Sequence, residues 1–432
     1  MNFIQDKQVN KSIDKPFNKQ LTIGLFGFGV VGKGLYDVLH STASLNATIK
    51  KICIKSPSKK RSIPADNFTT DAAELLHDEN INVIVELIDD ADAAFEIVRT
   101  ALQKGKAVVS ANKKMIAAHF EELLELQQEY NTAFLYEAAC CASIPIIRNL
   151  EEYYDNDLLR SVKGIINGST NFILTKIADE NLSFKEALLN AQQLGFAESD
   201  PTLDIKGYDA VNKLTILTLH SFGVLNKPGD FIFSGIDSIT TQDSIYAKEK
   251  KLEIKLVAQA KRLPGEKLAA FVLPQFIPAD DDLYSVKNEF NALITESSFA
   301  DKQFFKGKGA GAFPTAAAVL SDIAALRYDY KYEYKKLHFD NTIKLTNDYY
   351  LKVYISADDI NKIKEQEFEW VEEWHNDYHY SSAIAVIHAQ KLFGNDWWKQ
   401  DGVSLILCNE PIIENIDHRL IRKQSLQLAG VS

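Results

Sequence analysis

The sequence predicts an α/β chain. It should open with a parallel sheet wrapped by helices, continue as an α+β segment, and end in a small C-terminal α+β module. Three observations predict this. From Leu21 to about residue 136, short apolar runs alternate with stretches of helical spacing. The strand candidates there are apolar on both faces, as buried parallel strands must be. After about residue 150 the alternation stops and strands and helices mix. The 432 residues also exceed the roughly 250–300 at which a single core stops growing, so two or three domains are expected.

The elements follow in order. Leu21–Phe26 is an apolar run of strand length, followed by a glycine-rich turn and helical spacing over residues 30–39. A second strand over 49–54 ends in a basic loop holding Lys55, Lys59, Lys60 and Arg61. Residues 71–77 read as a short helix, 83–87 as a buried strand and 91–104 as an amphipathic helix. Residues 107–109 and 133–136 are strand-like, with a helix over 120–130 between them. Residues 161–166 form a strand candidate; 171–178, 184–194 and 209–222 have helical spacing, and 244–258 reads as a charged helix. A second glycine-rich loop over 306–313 leads into a helix over 315–326. The Tyr-, Lys- and Asp-rich stretch 328–334 marks the start of a module of about 100 residues, a normal size for a small domain. Its strand candidates are 349–355, 381–388 and 403–408. The expected organisation is a polar tail (1–20), a sheet domain (21–150 plus 312–328), a middle domain (151–311) and the C-terminal module (329–432).

Composition narrows the function classes. Lys+Arg is 48 against 59 Asp+Glu, a net charge of -11, which argues against general binding to nucleic acid or an anionic membrane. The first 20 residues are polar, unlike a signal peptide, and no apolar run approaches the roughly 18 residues a bilayer span needs. Cys53, Cys140, Cys141 and Cys408 show neither metal spacing nor a disulfide framework, which fits a reducing, cytoplasmic compartment.

Gly27-Phe28-Gly29-Val30-Val31-Gly32 matches G-x-G-x-x-G after a strand and at the start of a helix. There Gly27 permits the tight turn, Gly29 the approach of a pyrophosphate, and Gly32 close helix–strand packing. This is the dinucleotide-binding pattern of a Rossmann-type sheet. An acidic residue after the second strand would hold the ribose hydroxyls of NAD; Lys55, Lys59 and Arg61 suit a 2′-phosphate instead, so NADP(H) is preferred and NAD(H) possible. Ser110-Ala111-Asn112-Lys113-Lys114 follows a short strand, where open sheets bind ligands; Lys113 taken alone is equally an exposed helix-start lysine. Glu137 to Pro145 is a strand-to-helix junction of small residues, and Asn167 to Asn171 a polar, glycine-containing loop. Glu198-Ser199-Asp200-Pro201, Asp204, Gly207 and Asp209 lead into a helix on which Asp209 and Lys213 share a face. That pair is either a surface ion pair or a proton-transfer pair in a cleft.

Taken together, these residues resemble the homoserine dehydrogenase family. The match runs in order through residues 27–32, 110–114, 137–147, 164–174, 195–217 and 307–317, and covers about residues 20–328. The resemblance implies reversible, NAD(P)-dependent reduction of L-aspartate 4-semialdehyde to L-homoserine, by a homodimer or homotetramer acting on a small amino-acid substrate. It implies Lys213 as proton donor with Asp209 beside it, and Lys113 in cofactor or substrate contact and catalysis. Glu198, Gly195 and Asp204 would hold substrate. Gly309 and Gly311 would face the cofactor, together with Ser110 and Asn112. A monovalent cation, Na or K, would sit at Glu137, Cys140 and Ala142.

Two departures stand out. Cys140-Cys141-Ala142-Ser143 replaces a stretch usually rich in glycine, and Asp89-Asp90 stands where glycines are common. Many members end in a regulatory module with a Pro-Gly turn after a strand; here residues 356–360 lack it, so a degenerate regulatory or dimerisation module is expected. Its four tryptophans, Trp370, Trp374, Trp397 and Trp398, suggest core or interface. The competing readings are a dehydrogenase for another small amino acid or aldehyde, and a catalytically silent nucleotide or amino-acid sensor.

Overall fold

The structure, a computed structural model, describes residues 19–339, 342–377 and 380–414. Most of the expected polar tail lies outside the described residues.

The first sheet is built from β1 (Leu21–Phe26), β2 (Ala47–Cys53), β3 (Phe68–Thr69), β4 (Val83–Glu86), β5 (Ala107–Ser110) and β6 (Phe134–Leu135). Its helices are α1 (Val30–His40), α2 (Ala73–Leu76), α3 (Ala91–Gln103), α4 (Lys113–Ala118), α5 (Phe120–Tyr130) and α6 (Ile146–Glu152). All pairings are parallel, in the order β3-β2-β1-β4-β5-β6. The order reverses between β1 and β4, and the crevice beyond their carboxyl ends is where such sheets take a ligand.

The middle segment contains β7 (Leu159–Ile165), α7 (Gly168–Glu180), α8 (Phe184–Gln193), α9 (Thr202–Ile205), α10 (Tyr208–Phe222), β8 (Ile232–Phe233) and α11 (Thr241–Glu249). It continues through β9 (Leu252–Leu263), β10 (Lys267–Pro278), β11 (Phe290–Ser297) and β12 (Asp301–Lys308). The chain then returns to the first domain as α12 (Ala312–Leu326), which packs on α1. Gly34 makes that approach possible, because a Cβ there would lie 2.8 Å from the Ala312 carbonyl oxygen.

The last strands are β13 (Lys344–Leu345), β14 (Tyr350–Ala357), β15 (Phe368–Asp377), β16 (Tyr380–His388) and β17 (Val403–Ile413). They join one mixed sheet with the middle segment, ordered β12-β11-β7-β9-β10-β17-β14-β16-β15. The C-terminal module therefore shares a sheet with its neighbour. Its core includes Phe271 and Leu273 of β10 alongside Leu351, Val353 and Leu405.

Several expectations need correction. Residues 244–258 do not form one helix. α11 stops at Glu249, Lys251 takes φ 58, and β9 begins at Leu252. Leu252, Ile254, Leu256 and Ala258 alternate with residues of the other face, a period-two pattern that charged Lys and Glu obscure. Antiparallel pairing of β9 with β10 along its whole length overrides local helix propensity. Helix α7 starts at Gly168 rather than 171, because the Asn167 side chain accepts from the Thr170 amide and caps it. After Leu326 the described residues hold strands and 3-10 turns but no α-helix, so the module is β-rich rather than α+β. Of its tryptophans Trp398 is buried, whereas Trp374 is 40% exposed.

The turn after β8 positions the acidic stretch. Ile236 donates its amide to the Ile205 carbonyl at 2.7 Å, and a Cβ on Gly235 would fall 1.7 Å from that same oxygen. Gly235→Ala should therefore push α9, with Asp204, away from the site. Such overpacking costs about 1–3 kcal/mol, readable as a lower urea midpoint; an unchanged midpoint would show that the turn gives way freely.

Candidate active site

Helix α10 begins after Gly207, whose φ of 83 suits glycine and whose missing Cβ leaves room for the Ser234 carbonyl oxygen, 2.6 Å from where it would lie. Asp209 sits in the first turn of α10 and Lys213 one turn later, so both face the loop after β7. The Lys213 ammonium donates to Asp209 Oδ2 at 2.6 Å and to the Ile166 carbonyl at 2.8 Å. The Asn167 amide bridges two acids, donating to Asp204 Oδ1 at 2.7 Å and Asp209 Oδ2 at 2.8 Å. From the first domain, Lys113 at the start of α4 reaches Asp209 Oδ1 at 2.9 Å. One buried carboxylate thus joins two ammonium groups from two domains.

The electrostatics follow from this clamp. Burial pushes the Asp209 carboxyl upward, but Lys113 and Lys213 outweigh it and hold the group well below the usual carboxylate range. Lys113 is pushed up chiefly by the Asp209 charge, so it stays cationic through neutral pH. Asp204 is pushed up by burial and by the neighbouring Asp209 charge. Of the two earlier readings of the Asp209–Lys213 pair, the exposed surface pair is excluded: both residues are 6% exposed.

The glycine loop lies at the carboxyl end of β1. The Gly27 amide donates to the Cys53 carbonyl at 3.0 Å, and a Cβ on Gly27 would meet the Leu87 carbonyl at 2.5 Å. Nothing lies within 4 Å of a Cβ built on Gly29, and no side chain caps the start of α1. That open helix N-terminus, with Val30 exposed and Val31 and Gly32 behind it, is a ready site for a phosphate. Phe28 stacks edge-on to Phe68 at 5.2 Å, and the Arg61 guanidinium lies 5.2 Å over the same ring. Arg61 is fixed by donating to the Lys59 and Ser56 carbonyls at 2.8 Å each. A cleft of about 660 Å³ lies among Ile54, Lys59, Arg61 and Phe68. The loop with exposed Lys55 and Lys59 is therefore tied to the glycine turn through Phe68.

The second glycine loop meets the small-residue junction. Ser143 donates both its amide (3.2 Å) and its hydroxyl (3.0 Å) to the Lys308 carbonyl. A Cβ on Gly309 would lie 2.1 Å from the Asn291 amide nitrogen, and Gly311, at φ 120, precedes α12. Cys141 and Ala142 adopt φ 54 and 40, conformations that glycine takes without cost and that side-chain-bearing residues rarely adopt. Cys140 Sγ lies 3.8 Å from the Lys213 carbonyl oxygen. Burial pushes the Cys140 thiol up strongly and Cys141 up to about 12, so neither is a thiolate at neutral pH. The Glu137 carboxylate accepts from the Ile147 and Arg148 amides at 2.8 and 2.9 Å, which commits it to the start of α6. Among the described residues no cluster of three or more His, Cys, Asp or Glu side chains is arranged to hold a metal ion. Asp90 caps α3 by accepting from the Ala93 amide.

Gly195 and Glu198 lie on the exposed turn after α8. That turn is tied to α7 by the Ser169 hydroxyl donating to the Phe196 carbonyl, and Glu198 accepts from Gln192 through its own carbonyl. Glu198 is exposed, and its main-chain carbonyl is what anchors it to α8. Asn291 and Glu86 were not singled out by the sequence, and Asn167 was noted only as part of a polar loop, without a role. Asn167 alone carried a local signal, as a helix cap before Gly-Ser-Thr.

Comparison with known proteins places the chain in a family. The family model described as "Homoserine dehydrogenase, NAD binding domain" matches residues 27–137, and that described as "Homoserine dehydrogenase" matches 145–324. The homoserine dehydrogenase of Bacillus subtilis is 36% identical over 317 residues, 71% of this chain and 73% of that protein. That of Helicobacter pylori is 36% identical over 312 residues, again 71% and 73%. The crystal structure of a homoserine dehydrogenase from Thiobacillus denitrificans superposes with a TM-score of 0.79 at 26% identity, covering 90% of this chain and 98% of that one. A hyperthermophilic archaeal homoserine dehydrogenase mutant in complex with NADPH gives 0.62 at 26% identity, covering 73% and 100%. By sequence and by fold, this chain belongs to the homoserine dehydrogenase family.

Proposed function

We propose that the chain interconverts L-aspartate 4-semialdehyde and L-homoserine, with NADP(H) preferred, at the site centred on Asp209. The observation that carries this reading is the buried carboxylate clamped between Lys113 and Lys213 beside the mouth of the nucleotide sheet. When bound, the nicotinamide supplies or accepts the hydride. The chain's own residues manage charge and protons. Lys213, oriented by Asp209 and the Ile166 carbonyl, stabilises the negative charge that develops on the aldehyde oxygen and delivers its proton. In homoserine oxidation the same nitrogen receives the hydroxyl proton. Lys113, held cationic, gives a fixed positive charge for an anionic group of substrate or cofactor. Glu198 and Asp204 supply carboxylates for the substrate ammonium, and the turn at Gly195 sets the position of Glu198. Initial rates with aspartate semialdehyde against a panel of small aldehydes test the substrate; a faster turnover of another aldehyde would overturn it.

The preference for NADP(H) is supported by Lys55, Lys59 and Arg61, which follow β2 where an acidic residue would serve NAD. The turn Gly27–Gly32 with the open start of α1, Ser110 and Asn112 at the end of β5, and Gly309 and Gly311 would hold the rest of the cofactor. Replacing both Lys59 and Arg61 with Ala should raise KM for NADPH by about tenfold or more, since a hydrogen bond to a charged group contributes about 1.5–3 kcal/mol. KM for NADH should stay put. An equal rise for both cofactors would contradict the preference.

A monovalent cation, Na or K, would be held by the main-chain carbonyls of Glu137, Cys140 and Ala142. The commitment of the Glu137 carboxylate to α6 and the neutral Cys140 thiol support carbonyl ligation, which would brace the junction beside Lys213. A homodimer or homotetramer is supported by Phe299 and Phe304, exposed at the outer strand of the mixed sheet. No helix among the described residues is long and apolar enough to cross a membrane.

A further inference from the structure

At the carboxyl end of β4, beside the point where strand order reverses, stands a carboxylate the reaction does not use. Glu86 is fully buried. Its Oε2 accepts from the Ser110 hydroxyl at 2.5 Å, and its Oε1 from the Ile88 amide at 2.7 Å. The same Ser110 oxygen accepts the Asn112 amide at 3.1 Å. Asn112 in turn donates from Nδ2 to the Ile88 carbonyl at 3.1 Å and caps α4 by accepting from the Met115 amide at 3.0 Å. The next residue is Lys113, whose ammonium reaches Asp209 in the other domain. Hydrogen bonds of ordinary or short length thus join the buried acid to Asn112, the backbone carries the link to Lys113, and the network closes on itself through Ile88.

We propose that Glu86 is a positioning residue: through Ser110 and Asn112 it fixes the start of α4, and with it the Lys113 ammonium opposite Asp209. This rests on the reaction assigned above, and wild-type turnover in the same assay reports on that assignment separately.

A neutral Leu or Val would fill the space at lower cost, since burying a carboxyl is expensive unless it is satisfied. What the acid adds is directed acceptance of two donors. When Glu86 is ionised, the Ser110 hydroxyl hydrogen points at it and the oxygen lone pairs turn to the Asn112 amide. When Glu86 is neutral, its own proton takes one lone pair of the Ser110 oxygen and the serine hydrogen must turn away, so the hydroxyl that orients the Asn112 amide is no longer anchored by a charge.

Burial pushes Glu86 up to about 7, against the Ser110 and Ile88 hydrogen bonds that favour the charged form; the nearby Asp89 charge adds to the rise. Of the other charges on the packed elements, Asp92 of α3 and Lys114 of α4 are exposed, and the rest have partners of their own. Asp90 caps α3, Glu96 and Arg99 of α3 pair with each other, Lys113 pairs with Asp209, and Asp322 of α12 accepts from the Glu137 amide and Arg148. β1 and β5 contribute no titratable side chain. The ionised form is the one that holds Lys113, so kcat should rise as pH increases through about 7.

The test is the pH profile of kcat, from acid to alkaline, for wild type, Glu86→Gln and Ser110→Ala, with a thermal melt of each. Glu86→Gln cannot ionise, so its profile should lack the rise near neutrality. Ser110→Ala removes the hydroxyl that joins Glu86 to the Asn112 amide, so its profile should lose the rise as well. An inflection kept at the same pH in both variants overturns the proposal. So does a Gln profile that is the wild-type curve scaled by one factor at every pH, since that is what a purely structural acid would give.

Discussion

Lys213→Ala lowers kcat by about 10²–10⁴-fold while cofactor binding is unchanged, because the lysine acts on the reacting oxygen and lies on the substrate side of the site. The size follows from two roles lost together: a positioned proton and a positive charge where oxyanion charge develops. The side chain is 6% exposed, so no bulk water replaces it cheaply. Truncation also leaves the Ile166 carbonyl without its donor, which costs about 1–3 kcal/mol of stability. Lys213→Arg separates the two roles. Arginine keeps the charge but does not release its proton in proteins, so kcat should stay low although the charge is restored. Full activity in the Arg variant would assign the proton to another group. Initial rates and thermal melts on the three proteins read both effects.

Asp209→Asn should be the most damaging substitution for folding in this region. It removes the charge that faces both lysines, and it leaves one acceptor oxygen where Lys113 uses Oδ1 and Lys213 and Asn167 share Oδ2. Breaking a buried pair by removing one partner costs about 3–5 kcal/mol. The pH dependence has a definite sign. In the folded chain the Asp209 carboxyl is held below its unfolded value of about 3.9, so its contribution is present above that pH. It is lost as pH falls through the folded value. Wild type should therefore lose stability in the acid range faster than the Asn variant, and the two urea midpoints should converge at low pH. A constant difference between them at every pH would mean that Asp209 adds no charge-dependent stability.

The legible parts of the site were those where chemistry and local pattern coincide. The glycine turn is contiguous, so strand, Gly27–Gly32 and helix could be read together. Asp209 and Lys213 share a helix face by spacing alone. Lys113 followed from its place after a parallel strand. Glu86 was hidden because Val-Ile-Val-Glu reads as a strand ending in an ordinary polar residue, and its partner Ser110 is contributed by the neighbouring strand. Asn291 was hidden for the same reason: Gly168, Cys141 and Gly309 reach its side chain from distant parts of the sequence. In the fold, the stretch after Glu249 misled because buried Lys255 carries a charge into a strand interior, where it is held by the Asn171 side chain and the Val286 carbonyl. Three of the C-terminal strands, β14, β16 and β17, were found, whereas β13 and β15 were not; the union of the module with β10 rests on tertiary packing that no local pattern encodes.

The measurement that bears most directly on the whole account is the oxidation of NADPH by the wild-type chain on addition of L-aspartate 4-semialdehyde, followed by absorbance loss and by the appearance of homoserine. The account predicts one homoserine formed for each NADPH consumed, at a rate abolished in Lys213→Ala. NADPH that binds but is not consumed, or is consumed equally fast in the Lys213→Ala protein, would contradict it.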